Sequence, residues 1–298
     1  MPIQKPIKDR IQELKVKYDS LRKGKESLLY MLDEAEAPES VYNSNAIENS
    51  TLTLKETEKI LLEMEVSRDV SVREIFEAKN LARVISYTRE KSQTDELSKE
   101  LILLLHKMLI GNIDDSIAGR FRKTGEYVRV GTHVAPAPEQ VEKLIDSILS
   151  EYNSHHDLYF LEKISKFHLD FETIHPFCDG NGRIGRVLMN FQLLRLGYPR
   201  IMIRDKEKKV YYQSFGDYRD KKSTKTMDKV IYLGLLESLH KRINYLNGSV
   251  IITLADYAKK RGVKASILLN SARRQTIPAF REKGVWKIAE EFDYDSGK

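Results

Sequence analysis

One short segment, residues 175–186, holds the side chains of this 298-residue chain that are best suited to chemistry. It reads His-Pro-Phe-Cys-Asp-Gly-Asn-Gly-Arg-Ile-Gly-Arg, so an imidazole, a carboxylate, three glycines and two arginines fall close together. Apolar residues recur every three or four positions on both sides, which predicts a helix before the segment and a second helix that begins near Gly182. The free N–H groups and the positive dipole end of the second helix would point into the glycine loop.

This arrangement predicts a phosphate-binding loop. Glycines allow backbone N–H groups to approach an anion closely, and a helix N-terminus favours negative charge. Arg183 and Arg186 lie three residues apart and can both reach polyphosphate oxygens. Asp179 can hold Mg²⁺ through its carboxylate while substrate phosphates fill other coordination positions. The ordinary pKa of a histidine such as His175 suits general-base catalysis near neutral pH.

Three other interpretations of the same loop are a polar turn, a Walker loop and a Rossmann fingerprint. Residues 179–182 alone would suit a polar turn between helices, but such a turn requires neither His175 nor the two arginines. Asn181 can donate its amide to a phosphate or hold the loop in shape. A Walker loop is excluded because no Gly-Lys-Ser/Thr follows, and a Rossmann fingerprint is disfavoured because a helix precedes the loop.

The segment matches, position for position, the motif His-x-Phe-x-Asp/Glu-Gly-Asn-Gly-Arg-x-x-Arg, and the chain therefore resembles the Fic family of AMP-transferring enzymes. The related Doc-type kinases replace the first glycine by Ala and the second by Lys, so Gly180 and Gly182 favour the AMP-transfer branch. The resemblance implies transfer of AMP from ATP to a Ser, Thr or Tyr hydroxyl of a target protein, with pyrophosphate as the leaving group.

The resemblance also implies a role for each residue of the motif. His175 would deprotonate the target hydroxyl, and Asp179 would bind Mg²⁺. Phe177 would pack into the core and fix the loop, and Arg186 would bind the γ-phosphate of ATP. These roles agree with the demands of the reaction, which needs positioning and charge neutralisation more than covalent help. The other residues expected at the phosphates of ATP are Gly180, Asn181, Gly182 and Arg183.

A second segment resembles the inhibitory helix of the Fic family. Residues 44–49 fit the pattern Ser/Thr-x-x-x-Glu-Gly/Asn, with Ser44, Glu48 and Asn49 at its defined positions. Ser44 and Glu48 lie four residues apart on one helical face. By itself, an ordinary capped helix would explain this segment. In the family the glutamate pairs with the second arginine of the motif, so Glu48 would occupy Arg186 and restrain the enzyme.

Residues 123–134 predict a short β-hairpin, because β-branched and aromatic residues are flanked by glycines and followed by Ala-Pro-Ala-Pro. In the Fic family the corresponding hairpin is the flap, which aligns the target protein by strand addition. His133 is expected to be a flap or core histidine rather than a catalytic one. The target-binding flap residues that the resemblance implies are Thr124, Gly125, Glu126, Tyr127, Val128, Arg129 and Val130.

The C-terminal residues 249–298 predict a winged helix-turn-helix that resembles excisionase-like modules. A first helix is expected from Ile251 with Thr253 as its N-cap, and two paired strands are expected after the second helix. DNA binding competes with a protein-recruiting or dimerising role for this module. The side chains that would face a DNA groove are Lys264, Ser266, Asn270, Arg273 and Arg274.

Composition sets wider limits. The net charge of +6 is spread along the chain and gives only weak support for nucleic-acid binding. No apolar run approaches the ~18 residues of a membrane span, and one cysteine fits a reducing compartment such as the cytoplasm. We expect a mainly α fold in three parts: a helical region with the inhibitory helix (1–95), the Fic core with the following helices (96–248) and the winged helix (249–298).

Two alternatives to AMP transfer stay open at this stage. The same site could remove AMP from a modified protein, with Glu48 orienting water. The chain could instead be a regulator that binds nucleotide and DNA without catalysis. Since members of the family often dimerise and modify themselves, a homodimer and self-modification are expected beside ATP and the target protein.

Overall fold

The computed structural model describes residues 2–66, 69–154 and 157–294, which are mainly helical, as predicted. None of the helices in these ranges is long and apolar enough to cross a membrane. The helices are α1 Lys5–Leu21, α2 Glu26–Ile47, α3 Leu54–Glu58, α4 Val72–Lys91, α5 Lys99–Ile110, α6 Val141–Ser154, α7 Phe160–Ile174, α8 Asn181–Arg195, α9 Lys208–Lys221, α10 Lys225–Leu246, α11 Leu254–Arg261 and α12 Ala265–Arg273. The strands are β1 Arg129–Val130, β2 His133–Val134, β3 Ile251–Thr253, β4 Phe280–Glu282 and β5 Val285–Ala289.

The chain divides into two compact units. The first consists mainly of Ala37–Tyr198 and Met202–Ile231, and the second mainly of Gln4–Glu36 and Tyr232–Lys298. All the residues predicted to take part in catalysis, nucleotide binding and inhibition belong to the first unit. The division of the chain into three functional parts stays a prediction.

The two helices that flank the motif contribute to one hydrophobic core in the first unit. Phe167 and Phe171 of α7 and Leu188 and Phe191 of α8 are buried there, together with apolar residues of α4, α5 and α6. Apolar side chains at steps of three and four make one face of each helix hydrophobic, and burying these faces against each other stabilises the pair. The predicted helix–loop–helix is therefore confirmed, with α8 beginning at Asn181.

The predicted hairpin is present, but its strands are short. β1 and β2 pair antiparallel, with Arg129 opposite Val134 and Val130 opposite His133. The predicted flap residues 124–128 lie before β1 rather than in a strand. A turn occupies residues 124–125, and beyond the two paired positions the backbone N–H of Ala135 donates to the carbonyl oxygen of Val128 at 3.2 Å.

The second unit contains a three-stranded antiparallel sheet with the order β3-β5-β4. Ile251 begins β3 and not a helix, which corrects the prediction: Ile252 pairs with Ile288 of β5, a position that suits β-branched side chains. Thr253 is the N-cap of α11, as predicted, and its side chain accepts a hydrogen bond from the backbone N–H of Asp256. The winged-helix assignment and DNA binding stay predictions.

Phe171 tests the core of the first unit because its side chain is fully buried. We expect Phe171→Ala to lower the free energy of unfolding by about 3–5 kcal/mol, since apolar contacts are lost and a cavity is left. Denaturant unfolding followed by far-ultraviolet circular dichroism measures this change. Leu62→Ala is the control, because Leu62 is 68% exposed and its truncation should change stability by less than about 0.5 kcal/mol. Equal effects of the two substitutions would contradict the described core.

Candidate active site

The loop between α7 and α8 turns sharply at two residues in the left-handed backbone region. His175 ends α7 with φ 50° and ψ 62°, and its backbone N–H donates to the carbonyl oxygen of Phe171 at 2.9 Å. Gly180, with φ 80°, precedes α8, where glycine carries no steric penalty. Because of its left-handed backbone, His175 does not continue α7, and its side chain lies at the start of the loop.

Asn181 holds this loop in shape. Its Oδ1 accepts from the backbone N–H of Phe177 at 2.9 Å, and its Nδ2 donates to the carbonyl oxygen of Phe177 at 2.8 Å. The residue is 2% exposed, and Phe177 is fully buried. Of the two roles considered for Asn181, these contacts support loop shaping, because both polar atoms of its amide are engaged within the loop. Phe177 packs into the core, as expected.

His106 of α5 packs against the loop and holds it in place. The sequence did not indicate this role. The ring of His106 stacks on Phe177 with centroids 3.7 Å apart. The backbone N–H of Gly119 donates to Nδ1 at 3.0 Å, so Nε2 carries the proton and donates to the carbonyl oxygen of Asp179 at 3.1 Å. Burial lowers the pKa of His106 to about 4, so the ring is neutral and keeps both contacts at neutral pH.

Arg122 joins the end of α7 to the flap, and the sequence did not indicate this role either. The residue is 3% exposed, and within the described part of the chain its guanidinium donates to main-chain oxygens. Carbonyl groups at a helix C-terminus lack partners within the helix, so a buried arginine satisfies them. The accepting oxygens belong to His175 (2.9 Å), Glu126 (3.0 Å), Pro136 (2.9 Å) and Ile174 (3.3 Å).

The flap is held at its base and exposed along its strands. Glu126 accepts two hydrogen bonds from Arg120, both 2.7 Å long, and these contacts lower the pKa of Glu126 to about 2. His133 lies in β2 of the flap, and its Nε2 atom lies 2.8 Å from the carbonyl oxygen of Thr173 in α7. Val130 is 45% exposed. Glu126 therefore shapes the flap, whereas β1 presents an open edge.

Asp179 lies in a network of opposite charges. Arg183 donates to its Oδ1 at 2.9 Å, and Arg73 of α4 pairs with its Oδ2. Glu77 accepts a hydrogen bond from Arg73 at 3.0 Å and forms an ion pair with Arg183 at 3.2 Å. Burial opposes ionisation of Asp179, but Arg183 and Arg73 outweigh it and hold the pKa of its carboxyl below the ordinary value. Asp179 is thus ionised, as a cation ligand must be.

The donor set at Asp179 fits Mg²⁺ carried by a nucleotide. Among residues 2–66, 69–154 and 157–294, no group of three or more His, Cys, Asp or Glu side chains could enclose a metal ion. Mg²⁺ commonly uses one or two carboxylates and takes its other ligands from phosphates and water. Asp179 can supply the carboxylate if Arg73 moves away.

Arg186 is paired with the segment predicted to be inhibitory. Its Nε donates to Ser44 Oγ at 3.0 Å, and its Nη2 donates to Ser44 O at 2.8 Å and to Glu48 Oε1 at 2.9 Å. Arg186 is 5% exposed. Burial opposes its charge, but Tyr211 and Glu48 outweigh burial and raise the pKa of Arg186. The predicted contact between Glu48 and Arg186 is therefore present in the structure.

Gly182 and Asn49 complete the contact made by Glu48. A Cβ atom at Gly182 would collide with Glu48 Oε1, so only glycine lets the carboxylate lie over the start of α8. Asn49, with φ 69°, ends the segment, and its Oδ1 accepts from Lys208 Nζ at 2.8 Å. Glu48 thus lies at the helix N-terminus, where a phosphate is expected to bind.

A cavity of about 440 Å³ opens beside these residues. His175, Gly182, Arg186 and Glu48 line it, whereas Gly180, Asn181, Arg183 and Asp179 are not among its lining residues. The part of its wall that the sequence did not indicate comes from Glu172 of α7 and from α9. The α9 residues are Tyr211, Tyr212, Phe215 and Arg219.

His175 faces this cavity as a neutral base. Burial lowers the pKa of its imidazole to about 4, although the backbone of Glu172 and the charge of Glu48 act in the opposite direction. Its Nδ1 lies 3.8 Å from Glu172 Oε2. At neutral pH the ring is therefore unprotonated and able to accept a proton.

Residues 96–193 match the family model described as Fic/DOC family. A protein adenylyltransferase Fic from Nematostella vectensis is 33% identical over 211 residues, which cover 69% of this chain and 48% of that protein. The relative of the same name from Drosophila persimilis is 33% identical over 208 residues, 68% of this chain and 41% of that protein. The chain thus spans less than half the length of these curated relatives.

A solved structure supports the same assignment. A Fic domain containing signaling protein from Bacteroides thetaiotaomicron superposes with a TM-score of 0.71 at 27% identity, covering 80% of this chain and 97% of that chain. This protein therefore resembles the present chain in both its fold and its sequence. Residues 96–193 are thus a Fic/DOC domain, and through this domain the chain belongs to that family.

Proposed function

We propose that this chain transfers AMP from ATP to a hydroxyl group of a target protein. The observation that carries the proposal is that a neutral, half-buried histidine, His175, shares one cavity with Arg186 and the N-terminus of α8. These are a base, a cation and a set of backbone donors, which phosphoryl chemistry needs in one place. The relatives named protein adenylyltransferase support the same reaction.

The residues divide the work of the reaction. His175 takes the proton of the target hydroxyl as its oxygen bonds to the α-phosphorus of ATP, and the bond from that phosphorus to pyrophosphate breaks. Arg186 and the first N–H groups of α8 balance the charge of the phosphates. Mg²⁺, held at Asp179, would neutralise phosphate charge as ATP binds. The exposed edge of the flap is suited to align an extended segment of the target.

We further infer that the chain restrains itself through Glu48. While Glu48 and Ser44 hold Arg186, that arginine cannot bind the γ-phosphate, and the Glu48 carboxylate repels any phosphate at the start of α8. ATP would then bind in a pose that does not react. AMP removal is the second candidate function, because Glu48 and His175 line the same cavity and a water between them could be oriented.

The C-terminal helix α12 is proposed to serve recruitment. Lys264, Ser266, Asn270, Arg273 and Arg274 are all exposed, which suits either DNA or an acidic protein surface. Association of two copies and modification of the chain by itself are further expectations. None of these partners alters the chemistry assigned to His175.

Label transfer from ATP tests the reaction. With radioactive phosphorus at the α position, Mg²⁺ and a cell lysate, we expect labelled protein from Glu48→Gly and none when His175→Ala is added, because the base is lost. ATP labelled at the γ position should give no label above that of the lysate alone in any variant. Label from the γ position above this background would identify a kinase, and α-label that persists without His175 would contradict the proposed mechanism.

The restraint predicts a gain of function. Glu48→Gly should raise α-label incorporation by about tenfold or more, a free-energy change of about 1–3 kcal/mol, since Arg186 becomes available to the γ-phosphate. Glu96→Gly is the matched control, because Glu96 is exposed and lies outside the cavity. Equal rates for wild type and Glu48→Gly would rule out the restraint. Release of AMP from a premodified target, lost in Glu48→Gly, would support the second candidate.

A further inference from the structure

Glu172 lies in the wall of the active-site cavity, yet the proposed reaction gives it no role. It belongs to the last turn of α7, and its side chain is 9% exposed. Its Oε2 lies 3.8 Å from His175 Nδ1. Its Oε1 is buried and has no hydrogen-bond partner among the residues that the structure describes. A buried polar atom without a partner costs free energy, so packing alone does not explain a carboxyl group here.

The fold makes room for this carboxyl group at Gly185. A Cβ atom there would collide with Glu172 Oε1 and would lie 2.9 Å from His168 Cε1. Glycine inside a helix costs about 1 kcal/mol relative to alanine, and α8 accepts this cost at Gly185. The missing side chain is therefore explained by the space that Glu172 and His168 occupy.

Charged and titratable groups face Glu172 from every element around it. Burial and the nearby charge of Glu48 raise the pKa of Glu172 to about 8, while Arg186 acts in the opposite direction. The carboxyl group is therefore protonated and neutral at neutral pH. The groups beside it or in the same cavity wall are His168 on α7, His175 directly after α7, Arg186 on α8, Tyr211, Tyr212 and Arg219 on α9, His133 on the flap and Glu48 after α2.

We propose that Glu172 is a positioning residue that acts as a neutral carboxylic acid: its side chain packs beside the imidazole of His175, which also contacts the Glu172 backbone, without adding negative charge to the phosphate pocket. The inference rests on the proposed function, because the phosphates are those of ATP. An ionised carboxylate at this place would repel polyphosphate. It would also favour the protonated imidazole, which cannot accept a proton from the target hydroxyl.

Replacing Glu172 in the Glu48→Gly background tests this role through the pH profile of α-label transfer. Glu172→Ala should lower the rate by about 100-fold, because a misplaced base costs about that much. Glu172→Gln has the shape of the neutral acid and should rescue most of the loss at neutral pH. Burial, the larger cause of the raised pKa of Glu172, persists in this parent although the charge of Glu48 is gone. Ionisation of Glu172 should therefore still produce a decline in rate at alkaline pH, and Glu172→Gln should abolish it. A glutamine variant as slow as the alanine variant would overturn the proposal, as would an alkaline decline that persists in it.

A matched control and a second measurement separate this inference from the proposed function. Glu162→Gln changes another buried glutamate of α7, which lies far from His175 in the sequence. This variant should keep the pH profile of α-label transfer that the Glu48→Gly parent shows. If the parent itself gives no label that depends on His175, the proposed function has failed. Calorimetric binding of ATP to wild type and Glu172→Gln then tests the neutral acid. Affinity that falls above about pH 8 only in wild type supports it, and identical curves refute it.

Discussion

The buried guanidinium of Arg186 sets the constraint on which the site depends. A cation removed from water requires partners, because its desolvation otherwise costs several kcal/mol. Here Ser44 and Glu48 supply the partners, 142 and 138 positions away along the chain. Whatever anion replaces Glu48 must meet the same requirement, and a terminal phosphate offers the charge and the acceptor oxygens to do so. In the proposed function, the same charge requirement would account for both the restraint by Glu48 and the binding of ATP.

Besides the contact between Glu48 and Arg186, a set of buried contacts holds the loop in place. Phe177 is held by Asn181 and by the ring of His106, and Arg122 fixes the end of α7. These contacts are made inside the protein, by residues of the loop, of α5 and of the segment before the flap. Catalysis by positioning requires such a set of contacts, since donors that already point at the reacting atoms need no reorganisation when charge develops.

Burial and neighbouring charges set the protonation state of each titratable group in the site. Burial keeps the imidazoles of His106 and His175 neutral and Glu172 protonated, whereas two arginines keep Asp179 ionised. The only carboxylate that both lines the cavity and pairs with Arg186 is therefore the removable one, Glu48, among the residues that the structure describes. In the proposed function, a pocket with this arrangement would attract polyphosphate once Glu48 has left.

The sequence by itself determined the local features: the loop with His175 and its glycines, the two core helices around it, and the hairpin. These depend on periodicity, on turn-forming residues and on short spacings, which act between near neighbours in the chain. The resemblance of two separate motifs to the Fic family also predicted that Glu48 pairs with Arg186. It did not reveal that the amide of Asn181 is turned inward or that Ile251 begins a strand.

Only the tertiary structure brought His106, Arg122 and Arg73 to the loop and placed α9 along the cavity. Their roles depend on which helix faces pack together over long stretches of sequence, and no local pattern encodes that. The protonation of Glu172 was decided in the same way, because a pKa follows from burial and from charges contributed by other helices. Residue types and spacing thus specified the chemistry available, and packing specified the charge state in which each group acts.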